Sequence, residues 1–97
     1  MPHTILYHPQ VVTEDLPALN RDLFARIQRA IEHRLATEPT RYGEPLRHQF
    51  KGSWKLRVGD YRVIYRVIDQ RVLVVAIGHR KEIYDALAPH RLIWRPW

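Results

Sequence analysis

The stretch from residue 51 to residue 84 constrains the fold more than any other part of the chain. It contains three runs that alternate or are broadly apolar, rich in Val, Ile and Tyr: Trp54–Val58, Tyr61–Ile68 and 71–77. Only one or two turn residues separate each run from the next. Runs of this kind with such short connections are typical of an antiparallel meander. The sequence therefore predicts three consecutive antiparallel strands here.

The first two runs each have an apolar face and a basic face. Successive side chains on a strand point to opposite sides, so one side of this sheet carries only apolar and aromatic residues from these runs. The other side carries four cations, namely Lys55, Arg57, Arg62 and Arg66. Such a face is ordinarily solvated, with long stems lying along the sheet. No acid in the two runs offsets the cations, which favours a binding surface instead.

The third run is apolar on both faces and ends in a polar cluster. Residues 78–81 read Gly-His-Arg-Lys, and Tyr84 follows shortly after. Residues at the rim of a sheet are common places for function. His79, Arg80, Lys81 and Tyr84 are therefore candidate site residues, together with Lys51 just before the meander.

The other elements are predicted from periodicity and capping. A short strand spans residues 3–8, and Thr13 is expected to cap a first helix. Asn20 is expected to cap a longer one, residues 21–37, with an apolar stripe at three- and four-residue spacing. Residues 38–45 are predicted as a loop and 81–87 as a short helical segment ended by Pro89. The two helices are expected to form a hairpin on one face of the sheet, with the first strand at an edge.

The tail, residues 90–97, contains two Trp and two Arg. Two interpretations stay open for it. In the first, the tail packs on the domain, because terminal Trp side chains are costly to leave in water. In the second, the tail is an arm that touches a partner.

Charge is unevenly distributed along the chain. The net charge of +6 divides into −1 over residues 1–45 and +7 over residues 46–97. Thirteen of the sixteen cations are Arg, whose planar guanidinium suits phosphate and carboxylate. A basic half implies either a polyanion or an acidic protein partner, and charge alone does not choose between them.

Length and composition limit the number of domains, the compartment and the metal or cofactor content that the sequence predicts. The 97 residues are expected to form a single domain, 1–97, of the α+β class. The absence of cysteine suits the cytoplasm, and neither a membrane span nor a signal peptide is expected. Six scattered histidines lack metal-ligand spacing, so no metal and no cofactor is expected.

Two segments of the meander carry a resemblance to a known family. The segment WKLRVGDYRVIYRV, followed by VVAIGHRKEIY, resembles the toxins of the RelE/ParE superfamily of type II toxin–antitoxin systems, and the RelE branch in particular. The likeness extends to about Ala88. It implies a RelE-like fold, with an N-terminal strand and a two-helix hairpin packed on one face of a small antiparallel sheet and a short C-terminal helical segment.

The resemblance also assigns roles to residues. The family's sheet Lys corresponds to Lys55, its central-strand Arg to Arg62, and its C-terminal Arg and Tyr to Arg80 and Tyr84, with His79 beside them. Arg57, Arg66, Lys51 and Lys81 are expected to bind RNA. RelE has a second sheet Lys where this chain has Ser53, so the resemblance does not assign the general base.

What the family does defines the expected activity. RelE toxins are metal-independent endoribonucleases that cut messenger RNA on the ribosome, by attack of the 2′-hydroxyl to give a 2′,3′-cyclic phosphate. ParE-like toxins share the fold, lack the cleavage residues and poison DNA gyrase. A basic binding module is a third, marginal interpretation. In either toxin class the partner is a cognate antitoxin with acidic or amphipathic segments, in a toxin–antitoxin hetero-oligomer, and a RelE-like toxin also meets the ribosome and mRNA.

Overall fold

Five strands form one mixed sheet in the computed structural model, which describes residues 2–97. The strand order is β1-β5-β4-β3-β2. The strands are β1 (Thr4–Tyr7), β2 (Glu44–Pro45), β3 (Trp54–Val58), β4 (Tyr61–Ile68) and β5 (Arg71–His79). Strands β2 to β5 pair antiparallel, whereas β1 lies parallel to β5 at the edge. The predicted meander, the edge position of the first strand and the α+β class are confirmed, and the parallel pairing and β2 were not foreseen.

The helices are short except for one. They are α1 (Val11–Asp15, preceded by helical residues 9 and 10), α2 (Arg21–Ala30, continued by the wider turns of Ile31–Leu35), α3 (Pro39–Tyr42) and α4 (Pro89–Leu92). The Asn20 carboxamide accepts a hydrogen bond from the Leu23 amide at 2.8 Å, which confirms the predicted cap of α2.

The main core lies between the sheet and the two N-terminal helices. The apolar stripe of α2 (Ile27, Ile31 and Leu35) packs on the inward residues of β3, β4 and β5, and Val11 of α1 joins them. Tyr65 is fully buried there, and its hydroxyl donates to the Pro39 carbonyl at 2.6 Å. That contact holds α3 against the sheet, and Gly43 follows where any Cβ would overlap the Tyr65 hydroxyl.

A second, smaller core lies on the opposite face of the sheet. Ile64, Val75 and Ala76 pack there against Ile83 and Leu87. Leu92 and Trp94 of the tail cover the edge of this cluster. The helix pair thus occupies one face as expected, but the C-terminal segment covers part of the other. Strand β5, the third strand of the predicted meander, requires this arrangement because it is apolar on both sides.

An ion pair between the buried Arg91 and the partly buried Asp15 completes the edge of β5 beyond the end of β1. The pairing of β1 stops at Val74, where the His8 amide donates to the Val74 carbonyl. Beyond it, the Asp15 carboxylate accepts from the Ile77 amide at 2.9 Å, and the Arg91 guanidinium donates to the Val75 carbonyl at 3.2 Å. Arg91 also bonds both oxygens of Asp15, at 2.6 and 3.2 Å. The pair therefore joins α1, β5 and the tail.

The tail packs on the domain, which decides between its two interpretations. Arg91 is 6% exposed, and Trp94 lies against the ring of His8 at 5.2 Å. The terminal Trp97 remains half exposed, with the Arg71 guanidinium 4.4 Å from its ring centre.

Two local predictions were wrong, and a third was confirmed except at its end. Thr13 lies inside α1, where its hydroxyl donates to the Pro9 carbonyl, because the helix already begins at Pro9. The predicted loop 38–45 contains α3 and β2. Residues 81–86 form turns with helical hydrogen bonds, which agrees with the predicted short helical segment, but Pro89 begins α4 rather than ending that segment.

Replacement of Arg91 by Ala should cost about 3 kcal/mol of the free energy of unfolding. The substitution leaves the Asp15 carboxylate and the Val75 carbonyl without their buried donor. Urea unfolding followed by circular dichroism measures the loss. Arg95→Ala, an exposed arginine of the same tail, is the matched control and should change stability by less than about 0.5 kcal/mol. Equal losses in the two variants would contradict the anchoring role of Arg91.

Acid should weaken the same region through His8. Burial, with the charges of Arg91 and His90, lowers the pKa of His8 below 6.5, against smaller opposing effects of Asp15 and Glu14. The unfolded chain thus binds this proton at higher pH than the folded chain. The contribution of His8 to stability is complete above about pH 6.5 and is lost as pH falls through the folded pKa.

Urea titrations between about pH 7 and pH 5 test this dependence. As the pH is lowered, the free energy of unfolding should fall more steeply in the wild type than in His8→Asn. The Asn side-chain oxygen can still accept the hydrogen bond that the Gln10 backbone amide donates to His8. His33→Asn removes an exposed histidine and should keep the wild-type slope. A slope in His8→Asn as steep as in the wild type would show that His8 is not the group responsible.

Candidate nucleic-acid interface

The turn between β3 and β4 positions two of the candidate arginines. It consists of Gly59 and Asp60, and Gly59 has a φ of +60°, which suits a two-residue hairpin turn. The Arg62 guanidinium folds back and donates to the carbonyls of Gly59 (3.0 Å) and Tyr61 (2.9 Å). The Arg80 amide donates to the Asp60 carbonyl, and its guanidinium lies 3.5 Å from the Asp60 carboxylate. Arg62 and Arg80 thus converge on one turn, although Arg62 lies on β4 and Arg80 follows the end of β5.

Lys55, Arg57 and Arg62 lie together on the sheet face opposite the helices. Arg57 and Arg62 are cross-strand partners, and Lys55 is two residues along β3 on the same face. Like charges directly opposite each other destabilise a sheet. The pairing therefore works against folding, which makes it an informative feature of the site.

Glu44 partly offsets this charge, and sequence reasoning missed it. Strand β2 places Glu44 opposite Lys55. Its carboxylate lies 3.3 Å from the Arg57 guanidinium and 3.9 Å from the Lys55 ammonium. The acid was overlooked because its segment was predicted to be a loop, so no pattern placed it beside the strands.

His79 ends β5 and lies beside an aromatic ring. The Tyr61 ring, its cross-strand partner, meets it edge-on at 5.5 Å. The Lys81 amide donates to the His79 Nδ1 at 3.1 Å. An accepting Nδ1 belongs to the neutral tautomer that carries its hydrogen on Nε2. In this conformation His79 presents a donor to a ligand.

Tyr84 lies beyond the strand end, partly buried against the second core. The Phe50 ring packs against it with a centroid distance of 5.7 Å. Phe50 ends the short turn His48–Phe50, and the exposed Lys51 follows directly. The turn thus carries Lys51 to the side of the site where Tyr84 lies, and Phe50 is a second aromatic residue that the sequence did not single out.

Arg66 is placed differently from the expectation of an open, cationic face. It is half-buried, and its guanidinium donates to the Trp94 carbonyl at 2.9 Å. Burial, with a smaller effect of Arg95, lowers the pKa of Arg66. The tail therefore occupies the part of the face around Arg66 and leaves the part around Lys55, Arg57 and Arg62 open.

The site is an open surface rather than a cavity. One cleft, of about 470 Å³, lies beside α2 and includes only Arg57 of the candidate residues. A second, about 340 Å³, borders His79. Neither is lined by Lys55, Arg62, Arg80 or Tyr84. Fixed cations with a few N–H and O–H donors on an open face suit a phosphodiester backbone.

Residues 2–97 contain neither a metal-binding cluster nor a membrane-spanning helix. No three His, Cys, Asp or Glu side chains lie close enough together there to hold a metal ion. None of the helices in the same range is long and apolar enough to span a membrane.

The sequence matches known toxins of toxin–antitoxin systems. Residues 5–84 match the family described as the ParE toxin of the type II toxin–antitoxin system parDE. Toxin RelG of Mycobacterium tuberculosis is 33% identical over 86 residues, which cover 87% of this chain and 98% of RelG.

Solved structures show the same fold. The toxin–antitoxin complex RelBE2 of M. tuberculosis has a chain that is 30% identical, with a TM-score of 0.77 over 82% of this chain and 93% of that one. The RelB–RelE antitoxin–toxin complex of Methanococcus jannaschii, at 22% identity, has a TM-score of 0.64 over 86% of this chain and 99% of that one. The chain belongs to the RelE/ParE superfamily of type II toxin–antitoxin toxins.

Proposed function

We propose that this toxin is a ribosome-dependent endoribonuclease that cleaves messenger RNA and so inhibits translation. One observation carries the proposal. Arg57 and Arg62 face each other across two strands with Lys55 beside them, on a face that the helices leave open. The fold gains nothing from this repulsion, whereas a phosphodiester gains three fixed cations.

The chemistry is an internal phosphoryl transfer. The 2′-oxygen attacks the adjacent phosphorus and loses its proton, the bond from phosphorus to the 5′-oxygen breaks, and that oxygen leaves as a hydroxyl after taking up a proton. The products are a 2′,3′-cyclic phosphate and a free 5′-hydroxyl. The phosphorane between them is dianionic, so cations held in place bind it more strongly than the substrate.

Each candidate residue fits one part of this reaction. Lys55 and Arg62 stabilise the phosphorane, and Arg80 binds the scissile phosphate or the leaving oxygen. His79 donates from Nε2 to a phosphate or leaving oxygen, because its Nδ1 is already an acceptor. The Tyr84 hydroxyl orients a proton or transfers it during the reaction. The Tyr84 ring offers a surface on which an unstacked base can stack.

The remaining cations position the RNA outside the reaction centre. Arg57, Lys51 and Lys81 are exposed and suit backbone contacts. Arg66 contributes less, because its guanidinium bonds the tail. No metal and no cofactor takes part in this scheme.

The proposed partners follow from the superfamily. A cognate antitoxin binds the toxin in a hetero-oligomer, as the RelBE2 and RelB–RelE complexes do. The ribosome and its mRNA are the targets, and the cytoplasm is the compartment in which they meet.

A second candidate is a ParE-like toxin that inhibits DNA gyrase without cleaving RNA. The family whose model matches this chain is described as ParE, which favours it. The combination of Arg62, Arg80 and Tyr84 favours cleavage, and the next experiment separates the two.

Arg80→Ala should reduce cleavage of ribosome-bound message by about 10²- to 10³-fold while the fold stays intact, because it removes one preorganised charge from the transition state. Primer extension on message from cells expressing each variant maps the cuts, and a supercoiling assay measures gyrase in parallel. Arg62→Ala should behave alike, and Tyr84→Phe separates the role of the hydroxyl from that of the ring.

Arg41→Ala is the matched control for Arg80, because Arg41 is also exposed and paired with one acid, Glu38, at 3.1 Å. It should cleave like the wild type. If message stays whole, gyrase is inhibited and Arg80→Ala is as toxic as the wild type, the ParE-like function replaces the endoribonuclease.

Glu44→Gln should raise the affinity for single-stranded RNA about threefold at low salt, because it frees Arg57 and Lys55 from their carboxylate. It should also steepen the fall of affinity with salt, since each additional phosphate contact releases a counterion. Fluorescence anisotropy with a labelled oligonucleotide measures both effects. Glu38→Gln, the control outside the site, should change neither the affinity nor its salt dependence. An unchanged affinity in Glu44→Gln would show that Arg57 and Lys55 do not contact the RNA.

A further inference from the structure

A cleft at the end of β5 adjoins the candidate site and has no role in the scheme above. Its volume is about 340 Å³, and it lies between the end of α1 and the turns of residues 81–86. His79 lines it, and Arg80 follows His79 directly in the chain. Clefts of about 300–1,000 Å³ are typical of small-molecule sites. The cleft is therefore large enough to hold a ligand beside the reacting groups.

Several of the side chains that line this cleft are apolar. Leu19 comes from the turn after α1, and Ile83 and Ala86 come from the C-terminal turns. Gly78 lets Ile83 approach the strand, because a Cβ on Gly78 would lie 3.1 Å from the Ile83 Cδ1. A flat ligand can place its faces against such side chains and turn its edge towards β5.

The floor of the cleft is the free edge of β5. The Arg80 amide donates to the Asp60 carbonyl, so Arg80 faces β4. Successive residues of an antiparallel ladder face opposite edges, so Ile77 and His79 face away from β4. The bond from the Ile77 amide to the Asp15 carboxylate agrees with this direction. The Ile77 carbonyl and the His79 amide therefore point towards the cleft that these two residues line.

This free edge is too short to dock a peptide strand. Asp15 already accepts from the Ile77 amide, and the His79 carbonyl already accepts from the amides of Glu82 and Ile83. One carbonyl and one amide remain, two residues apart, whereas an added strand needs a longer row of alternating groups. The remaining pair matches a heterocycle that carries an N–H donor next to a ring-nitrogen acceptor.

The charge of the cleft selects among the heterocycles of RNA. The carboxylates of Glu14 and Glu82 line it. Within residues 2–97, no Lys, Arg or His nitrogen lies within 4.0 Å of the Glu82 carboxylate. This negative charge disfavours a phosphate and the carbonyl oxygens of guanine, cytosine and uracil. Adenine has no carbonyl oxygen, and its amino donor adjoins the ring acceptor N1.

We propose that this cleft binds an adenine base of the message next to the bond that is cut. The adenine amino group donates to the Ile77 carbonyl, and the His79 amide donates to N1. The base packs against Leu19 and Ile83, and the His79 imidazole stays free for its role in cleavage. The inference rests on the proposed function, because it takes the base from the message. A cationic side chain of a partner protein would suit the carboxylates but would leave the His79 amide without an acceptor.

Titration of the ¹⁵N-labelled full-length chain with adenosine tests the binding without any variant. Amide chemical shifts should change at residues 77–79 and 82–86. Adenosine should bind at least about fivefold more tightly than guanosine or uridine, whose edges reverse the donor and the acceptor. It should also bind more tightly than cytidine, whose carbonyl oxygen meets the carboxylates.

Three outcomes of this titration would overturn the inference. The first is an absence of shifts at these residues up to the solubility limit of adenosine. The second is equal affinity for adenosine and any of the other three nucleosides. The third is a stronger response of the same amides to N-acetyl-argininamide, which would assign the cleft to a protein cation.

Filling the cleft provides an independent test. Ala86→Trp places a large ring in the cleft from an exposed position and should weaken adenosine binding at least about tenfold. Thr13→Trp is the matched control, because it adds the same ring at an exposed position of α1 that does not line the cleft. It should bind adenosine within about twofold of the wild type. Equal binding by Ala86→Trp and the wild type would contradict the assignment of the cleft.

Sequencing of the 5′-hydroxyl ends of message in expressing cells tests the role in cleavage. Adenosine should be enriched at one fixed position beside the wild-type cuts, and Ala86→Trp should lose this enrichment while it still cuts. No enrichment in the wild type, or equal enrichment in both, would overturn the inference.

The nucleoside titration uses no ribosome and no message. A chain that binds adenosine here but cuts no RNA would refute only the endoribonuclease, and a chain that cuts RNA but does not bind adenosine would refute only this inference.

Discussion

Strand β5 is the constraint on which the rest of the structure depends. It is apolar on both faces, and residues 72 to 77 are all buried. Such a strand requires cover on both sides and a pairing partner at each edge. Strand β1 is too short to pair with the whole of β5. Beyond the end of β1, Asp15 accepts a hydrogen bond from the Ile77 amide and Arg91 donates one to the Val75 carbonyl. The tail is therefore part of the fold.

Covering β5 also determines where the functional surface lies. The C-terminal segment occupies the sheet face over β5 and reaches Arg66 on β4. What remains open is the part of that face toward β3, where Lys55, Arg57 and Arg62 lie. The repulsion among these cations is tolerated because the large core on the other face supplies most of the stabilisation. A stable helix-side core thus allows a basic outer face that would not form by itself.

Local signals predicted much of this, and long-range pairing was beyond them. Alternation predicted β3 and β4 and placed their cations on one face, and the Asn20 cap located the start of α2, since each depends on neighbouring residues only. The Asp15–Arg91 pair joins residues 76 apart, and the Glu44–Arg57 contact joins residues 13 apart through a strand of two residues. No periodicity marks such partners. The double role of Pro9, which ends β1 and begins α1, hid the start of the first helix in the same way.

The open geometry of the site has a mechanistic consequence under the proposed function. Enzymes that act alone usually enclose the reacting groups, because excluding water strengthens each electrostatic contact. Lys55, Arg62 and Arg80 line neither of the two clefts described above, and Arg80 keeps a side-chain exposure of 53%. Screening by water would leave these charges weak against free RNA. A second surface that covers the bound strand would raise their effect, and for a toxin acting on messenger RNA the ribosome supplies that surface. Under the proposed function, the open shape of the site therefore favours a dependence on the ribosome.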